Sequence, residues 1–258
     1  MARRGGHPVS EIVLDRVSKA FAGRSAVENL SLTIARGEIV ALVGRTGAGK
    51  STALSLMMGA FPPDHGHVRV AGLDPHAEFG QLAGRLAVSF QTDRLLPWRR
   101  ALDNVSLGLQ ILGVERGERE RRARLWLDRV KMTGAERKYP HELSGGMRQR
   151  VSFARALAVE PAIVLLDESF GQLDEVTSRE LRRDFAELVR GLGTTSVLVT
   201  HRLEEALEMA DRVVVLGAPA RVLAEIRTDA TERADPVRLG ALRRAVAEIL
   251  ERGDHPAT

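Results

Sequence analysis

In "PAIVLLDESFGQLDE" an apolar run, Ile163 to Leu166, leads directly into two acids, Asp167 and Glu168. A strand that merely reaches solvent would end this way. So would a strand that delivers a metal-bound Asp and a neighbouring general base. A second cluster narrows the choice. "GRTGAGKST" comprises Gly44, Arg45, Thr46, Gly47, Ala48, Gly49, Lys50, Ser51 and Thr52, and it matches G-x-x-x-x-G-K-S/T between a predicted strand and a predicted helix. Gly44, Gly47 and Gly49 permit backbone conformations that turn successive N–H groups inward. Those donors and the positive end of the following helix make a cradle for phosphates. Lys50 has the reach for β- and γ-phosphates, and the Ser51 hydroxyl is of the type that ligates Mg²⁺. Beside such a loop Asp167 reads as the strand-end acid that helps hold Mg²⁺, and Glu168 as the group that polarises water.

Positioning these residues takes a sheet. "EIVLDRV", "VENLSLTI" and "GEIVALVG" read as strands, followed by the Gly-rich turn and a helix in "STALSLMMGA". "HVRVAG" and "RLAVSF" are two further short strands. From about Leu95 to Leu157 the pattern becomes helical, with three helical stretches. Alternation then resumes with "AIVLL", a helix over about Glu175–Leu192, "TSVLVT", "LEEALEMA" and "RVVVLG". Strand–helix alternation implies a parallel α/β sheet, and the helical middle reads as an insertion into it. The polar end "ERGDHPAT" reads as disordered.

The chain has 258 residues, 44% hydrophobic and 28% charged, which is ordinary for a globular protein with a sizeable core. No apolar run approaches the ~18–20 residues of a membrane span. No apolar stretch follows the arginines of "MARRGGHPVSEI", so the start does not read as a secretory signal. There is no cysteine, which excludes disulfides and thiolate metal sites. The net charge of +4 is modest, and acids are interspersed with the arginines, which argues against nucleic acid as the partner. The dense patch "ERGERERRARLWLDR" reads as a solvated helix face, with a membrane-headgroup or partner surface as the other reading.

A third motif carries a resemblance. "ELSGGMRQRVSFARAL" contains Leu143, Ser144, Gly145, Gly146 and Met147, the signature of ABC-type ATPases. With the phosphate loop, the acid pair and His201 after "VLVT", the order and spacing resemble the nucleotide-binding subunit of an ABC transporter over about residues 10 to 225. The resemblance implies an α/β P-loop NTPase fold of ABC type. Its core sheet would be mostly parallel, with an N-terminal antiparallel β part and an inserted helical subdomain. The single ATPase domain would divide into a core at about 9–91 and 160–226, a helical insertion at 92–159, and a C-terminal helix and tail at 227–258.

The resemblance also implies roles. Phe21 would stack on adenine, or be a core Phe. Gln91 would touch Mg²⁺ or water and link nucleotide state to the insertion, or be an ordinary Gln after a strand. Asp174 would lie in a loop crossing a dimer interface, or be a plain helix N-cap. His201 would contact the γ-phosphate and hold the attacking water, or be a structural His. Ser144, Gly145 and Gly146 would meet the γ-phosphate bound by a second ATPase subunit, head to tail. ATP and Mg²⁺ are the implied substrate and metal, and integral membrane permease subunits the implied partners. That would place the chain peripherally at the cytoplasmic face of the inner membrane.

"FQTDRLLPWRRALDNVSLGL", "KYPHELSGGM" and "SFGQLDE" resemble the ATPases of importers for nitrate, sulfonates and taurine, which work with an extracytoplasmic solute-binding protein. In that stretch Leu95, Leu96 and Trp98 also admit a reading as core residues. Three positions depart from the family pattern: Ser169 for a common Pro, Arg202 for a common Asp and Thr92 for a common Glu. They weaken the solute class and leave the ATPase reading intact. An exporter ATPase stays open as an alternative. So does a soluble ABC ATPase acting on DNA or ribosomes, although the short spacing from Lys50 to Ser144 leaves no room for a long coiled coil and the chain carries one such domain.

Overall fold

The computed structural model describes residues 10–170, 173–229, 231, 233 and 235–252. The expectation for the first residues of the chain and the last six positions of the polar tail lie outside them, while Glu251 and Arg252 end a helix.

Nine strands form two sheets among the described residues. The smaller is antiparallel, in the order β2–β1–β4, from β1 (Ser10–Phe21), β2 (Arg24–Ala35) and β4 (His65–Val70). The larger has the order β5–β6–β7–β3–β8–β9. It contains β3 (Ile39–Val43), β5 (Leu86–Ser89), β6 (Ile163–Asp167), β7 (Thr195–Thr200), β8 (Arg212–Leu216) and β9 (Val222–Arg227). Neighbours are parallel except β8 and β9.

The apolar runs follow from burial on both faces. Successive side chains of a strand point to opposite sides. Val40, Leu42, Leu165 and Val197 therefore pack with the small sheet and α1 (Lys50–Met57). Ala41, Val43, Val164, Leu166 and Leu198 face the other way. There they meet α5 (Gly145–Leu157), α6 (Glu175–Leu192) and α7 (Leu203–Met209). A last helix, α8 (Pro236–Arg252), packs on α7, where Arg243 donates to Glu204 at 2.8 Å.

Between β5 and β6 lie four α-helices rather than three helical stretches: α2 (Ala101–Val105), α3 (Leu107–Ile111), α4 (Arg116–Arg129) and α5. One break falls at Ser106, where α2 ends and α3 begins. In α4, Ala123, Trp126 and Leu127 are buried, and charges pair outward, as Arg121 does with Glu118 at 2.7 Å. Trp98 is 71% exposed, which removes the reading of that residue as core; Leu95 is buried. Phe21, at 46% exposure, is likewise no core residue. No helix among the described residues is long and apolar enough to cross a membrane.

Candidate active site

The phosphate loop joins β3 to α1 at the C-terminal end of the parallel strands, where ligands of open α/β sheets bind. Two of its glycines are required by geometry. Gly47 and Gly49 have φ of 83° and 81°. A Cβ on Gly49 would also lie 2.1 Å from the Ala26 carbonyl oxygen, so β2 presses directly on the start of α1. That contact fixes the small sheet, with Phe21 at the end of β1, relative to the loop. Phe21 packs edge-on to Phe61 at 5.2 Å between centroids and keeps much of its ring exposed.

Lys50 is buried, and its Nζ donates to the carbonyls of Gly44 at 2.7 Å and Arg45 at 2.8 Å. Burial pushes its pKa down, while the charges of Glu168 and Asp167 pull it back up. Arg45, Thr46 and Ser51 are exposed along the same loop, Ala48 is buried beneath it, and Thr52 is half-buried. Asp167 ends β6 beside the loop. Burial raises its pKa and Glu168 adds to the rise; Arg94, a hydrogen bond with Ser51, and Lys50 work against it.

Glu168 has φ of 46°, a left-handed conformation uncommon for Glu. Its backbone N–H continues the β6–β7 pairing by donating to Val199 O at 2.9 Å. Two residues on, buried Phe170 is wedged among Phe153 and Phe185, and its carbonyl accepts from Ser178 at 2.9 Å. The carboxylate is thereby aimed outward between two partners. Gln91 Nε2 donates to Glu168 Oε2 at 3.2 Å, and His201 Nδ1 lies 3.2 Å from Oε1. Residues 77 and 33 positions away from Glu168 thus converge on it.

Ser144 caps α5 by accepting from Met147 N at 3.3 Å, and Asp174 caps α6 by accepting from Thr177 N at 3.0 Å. The Thr177 bonds hold Asp174's pKa low. The two helix starts touch: a Cβ on Gly146 would lie 2.8 Å from Thr177 Cγ2, and one on Gly145 3.2 Å from Leu173 Cδ2. Ser144, Asp174 and Val176 are exposed there. Gly171 and Gln172, in the stretch read as a loop crossing between subunits, lie outside the described residues.

Sequence reasoning missed the groups that brace this arrangement. Ser169 Oγ donates to Ser89 O at 3.0 Å, tying the end of β6 to the strand that leads to Gln91. Arg148 joins Asp93 at 3.0 Å and also donates to Leu143 O at 2.9 Å. Arg155 donates to the carbonyls of Asp93 and Arg94, both at 2.7 Å. The segment after Gln91 is therefore strapped to the helix that Ser144 begins. Partners more than fifty positions apart leave no local signal in sequence.

The chain is similar to known proteins in sequence and in fold. The family described as "ABC transporter" matches residues 27–171. The taurine import ATP-binding protein TauB of Escherichia coli (strain K12) is 42% identical over 207 residues, which are 79% of this chain and 78% of that protein. A solved dimeric structure of the ATP-binding cassette MJ0796, in a post-hydrolysis state bound to ADP and Pi, superposes with a TM-score of 0.73 at 30% identity. That superposition covers 84% of this chain and 98% of the other. For the fold alone, cbiO1 from Clostridium perfringens gives a TM-score of 0.79 at 23% identity, over 92% and 99% of the two chains. The chain belongs to the ABC transporter family and is an ABC-type ATPase.

Proposed function

We propose that the chain hydrolyses ATP at sites shared by two head-to-tail subunits and so powers import of a taurine-like sulfonate through a separate membrane permease. The observation that carries the catalytic part is the convergence of Gln91 and His201 on Glu168 beside the phosphate loop. In this reading residues 44–52 hold the phosphates through backbone N–H groups and Lys50, and Phe21 stacks on the base. Glu168 takes a proton from the attacking water. His201 and Gln91 fix that water's position, and His201 contacts the γ-phosphate. Ser144, Gly145 and Gly146 of the facing subunit present their N–H groups to the same phosphate.

Ser51 and Asp167 are hard oxygen donors at the phosphate loop, and the Ser51 hydroxyl acts to lower the Asp167 pKa. Such a donor set suits Mg²⁺, which is commonly held by one or two carboxylates plus substrate phosphates. Ser51, Asp167 and Gln91 would hold it, and its charge would neutralise the β- and γ-oxygens. We assign residues 9–91 and 160–226 to the nucleotide core, 92–159 to the insertion and 227–258 to a C-terminal appendage.

The solute and direction rest on the likeness to TauB over most of both chains. The test is to purify the chain with its membrane partners and follow labelled taurine in proteoliposomes. ATP-dependent uptake that Glu168→Gln abolishes is expected. Outward transport, or purification with ribosomes or DNA in place of a hydrophobic permease, would overturn the reading.

A further inference from the structure

His201 is a half-exposed ring whose contact with Glu168 is a single 3.2 Å approach. With half of the ring exposed, its direction depends on the backbone of the β7–α7 turn. That turn is closed by two sets of bonds. Thr200 Oγ1 donates to Glu205 Oε2 at 2.6 Å and accepts from Arg202 N at 3.0 Å, which joins the turn to α7. The Arg202 guanidinium then reaches across and donates to Glu175, the first residue of α6, next to the Asp174 cap.

Glu175 is itself held. Arg182, buried in α6, donates to it at 3.0 Å and to Ser178 Oγ at 3.0 Å, and Ser178 in turn holds the carbonyl of Phe170. Buried Glu205 shares the same cations. Its Oε1 makes no hydrogen bond and lies 3.4 Å from Arg202 Nη1 and 3.9 Å from Arg182 Nη1. Two arginines and two glutamates thus connect the turn bearing His201 to the helix start that braces the segment after Glu168.

We propose that Arg202, paired with Glu175, is a positioning residue that locks the His201 turn to the N-terminus of α6 and so sets His201 relative to Glu168 for hydrolysis. This rests on the role proposed above for His201. The pair does not touch the phosphate loop, so its loss should affect the rate and spare nucleotide binding. Arg202 and Glu175 are 29% and 46% exposed, but each also faces a buried charge, Arg202 facing Glu205 and Glu175 facing Arg182, so removing either should lower the melting temperature too.

The experiment measures kcat, KM for ATP and melting temperature for Arg202→Ala, Arg202→Lys, Glu175→Gln, the Arg202→Ala/Glu175→Gln double variant and His201→Ala. Arg202→Ala should lower kcat by roughly tenfold, within the ~10²-fold that a misplacement of about 1 Å can cost, with KM near wild type and some loss of melting temperature because buried Glu205 loses its nearest cation. Arg202→Lys should recover much of that loss. The double variant should be no slower than the worse single one, as expected of a pair acting as a unit. An unchanged kcat in Arg202→Ala, with His201→Ala nearly inactive, would overturn the clamp alone. A rise in KM alongside the losses of kcat and melting temperature, none of them relieved by Lys, would overturn it in favour of a purely structural role. Full turnover in His201→Ala would overturn the catalytic reading of His201, and the clamp with it.

Discussion

Glu168 receives a hydrogen bond from Gln91 on one oxygen and faces His201 with the other, while its backbone holds a left-handed conformation. Strain of this kind persists where the surroundings over-determine it, and here the Phe170 anchor and the Val199 pairing do so. Glu168→Gln keeps the shape and both partners but removes the proposed base. ATP binding should survive, turnover should fall by at least the ~10²–10⁴ attributable to general-base catalysis, and an ATP-bound dimer should accumulate. Phosphate release and size-exclusion chromatography with ATP measure both effects; near-normal release would remove Glu168 from the mechanism. The acid pair, the phosphate loop and His201 were legible in the sequence because each sits at a fixed offset from a strand end. The Asp93–Arg148 and Arg202–Glu175 pairs were not. Long charged side chains find partners that only the folded chain brings near, and a position such as 202 reads simply as a departure until its partner is seen.

At the scale of elements, the loop–helix junction depends on two glycines with different constraints. Gly47 needs its positive φ but has open space where a Cβ would go, so Gly47→Ala should cost about 1–3 kcal/mol. Gly49 carries the same φ and also abuts the Ala26 carbonyl, so Gly49→Ala must move β2 or α1. Its melting temperature should fall further than that of Gly47→Ala, and equal losses would contradict the close approach. The start of α5 tests the shared site. Ser144→Arg places a bulky cation where the proposed shared site brings the facing γ-phosphate, so the variant should bind ATP through its own loop yet fail to hydrolyse it. Mixed with Lys50→Ala chains, it should regain at most one complete site per heterodimer. Full activity of Ser144→Arg alone would mean that one chain holds a whole site. Most elements were legible because buried parallel strands are continuous apolar runs. β9 was not separately visible: "VLAEIR" is half-exposed, interrupted by Ala224 and Glu225, and it becomes a strand by pairing antiparallel with β8.

At the scale of the whole molecule, hydrolysis is useful only if the site is coupled to a partner, and the segment following Gln91 is built to project. Buried Asn104 grips its backbone: Oδ1 accepts from Leu96 N at 2.8 Å, and Nδ2 donates to the carbonyls of Leu96, Arg99 and Arg100 at 3.2, 3.0 and 3.2 Å. Pro97 restricts the chain further. With Leu95 buried and the backbone held, Trp98 is left pointing into solvent from a rigid loop. That loop is strapped through Asp93 and Arg148 to the helix Ser144 begins, so a load on Trp98 reaches both halves of the proposed shared site. An exposed aromatic on a stiff support is the form of side chain that dominates interfaces, at about 2 kcal/mol or more each. Trp98→Ala should therefore leave the melting temperature of the isolated subunit within about 1–2 °C of wild type, because few native contacts are lost. It should weaken permease assembly or uncouple hydrolysis from uptake. Asn104→Ala, which releases the loop backbone and empties a buried site, should lower the melting temperature as well as assembly. Pull-down of the permease beside thermal unfolding separates the two, and normal assembly with coupled uptake in Trp98→Ala would place the contact elsewhere on the surface.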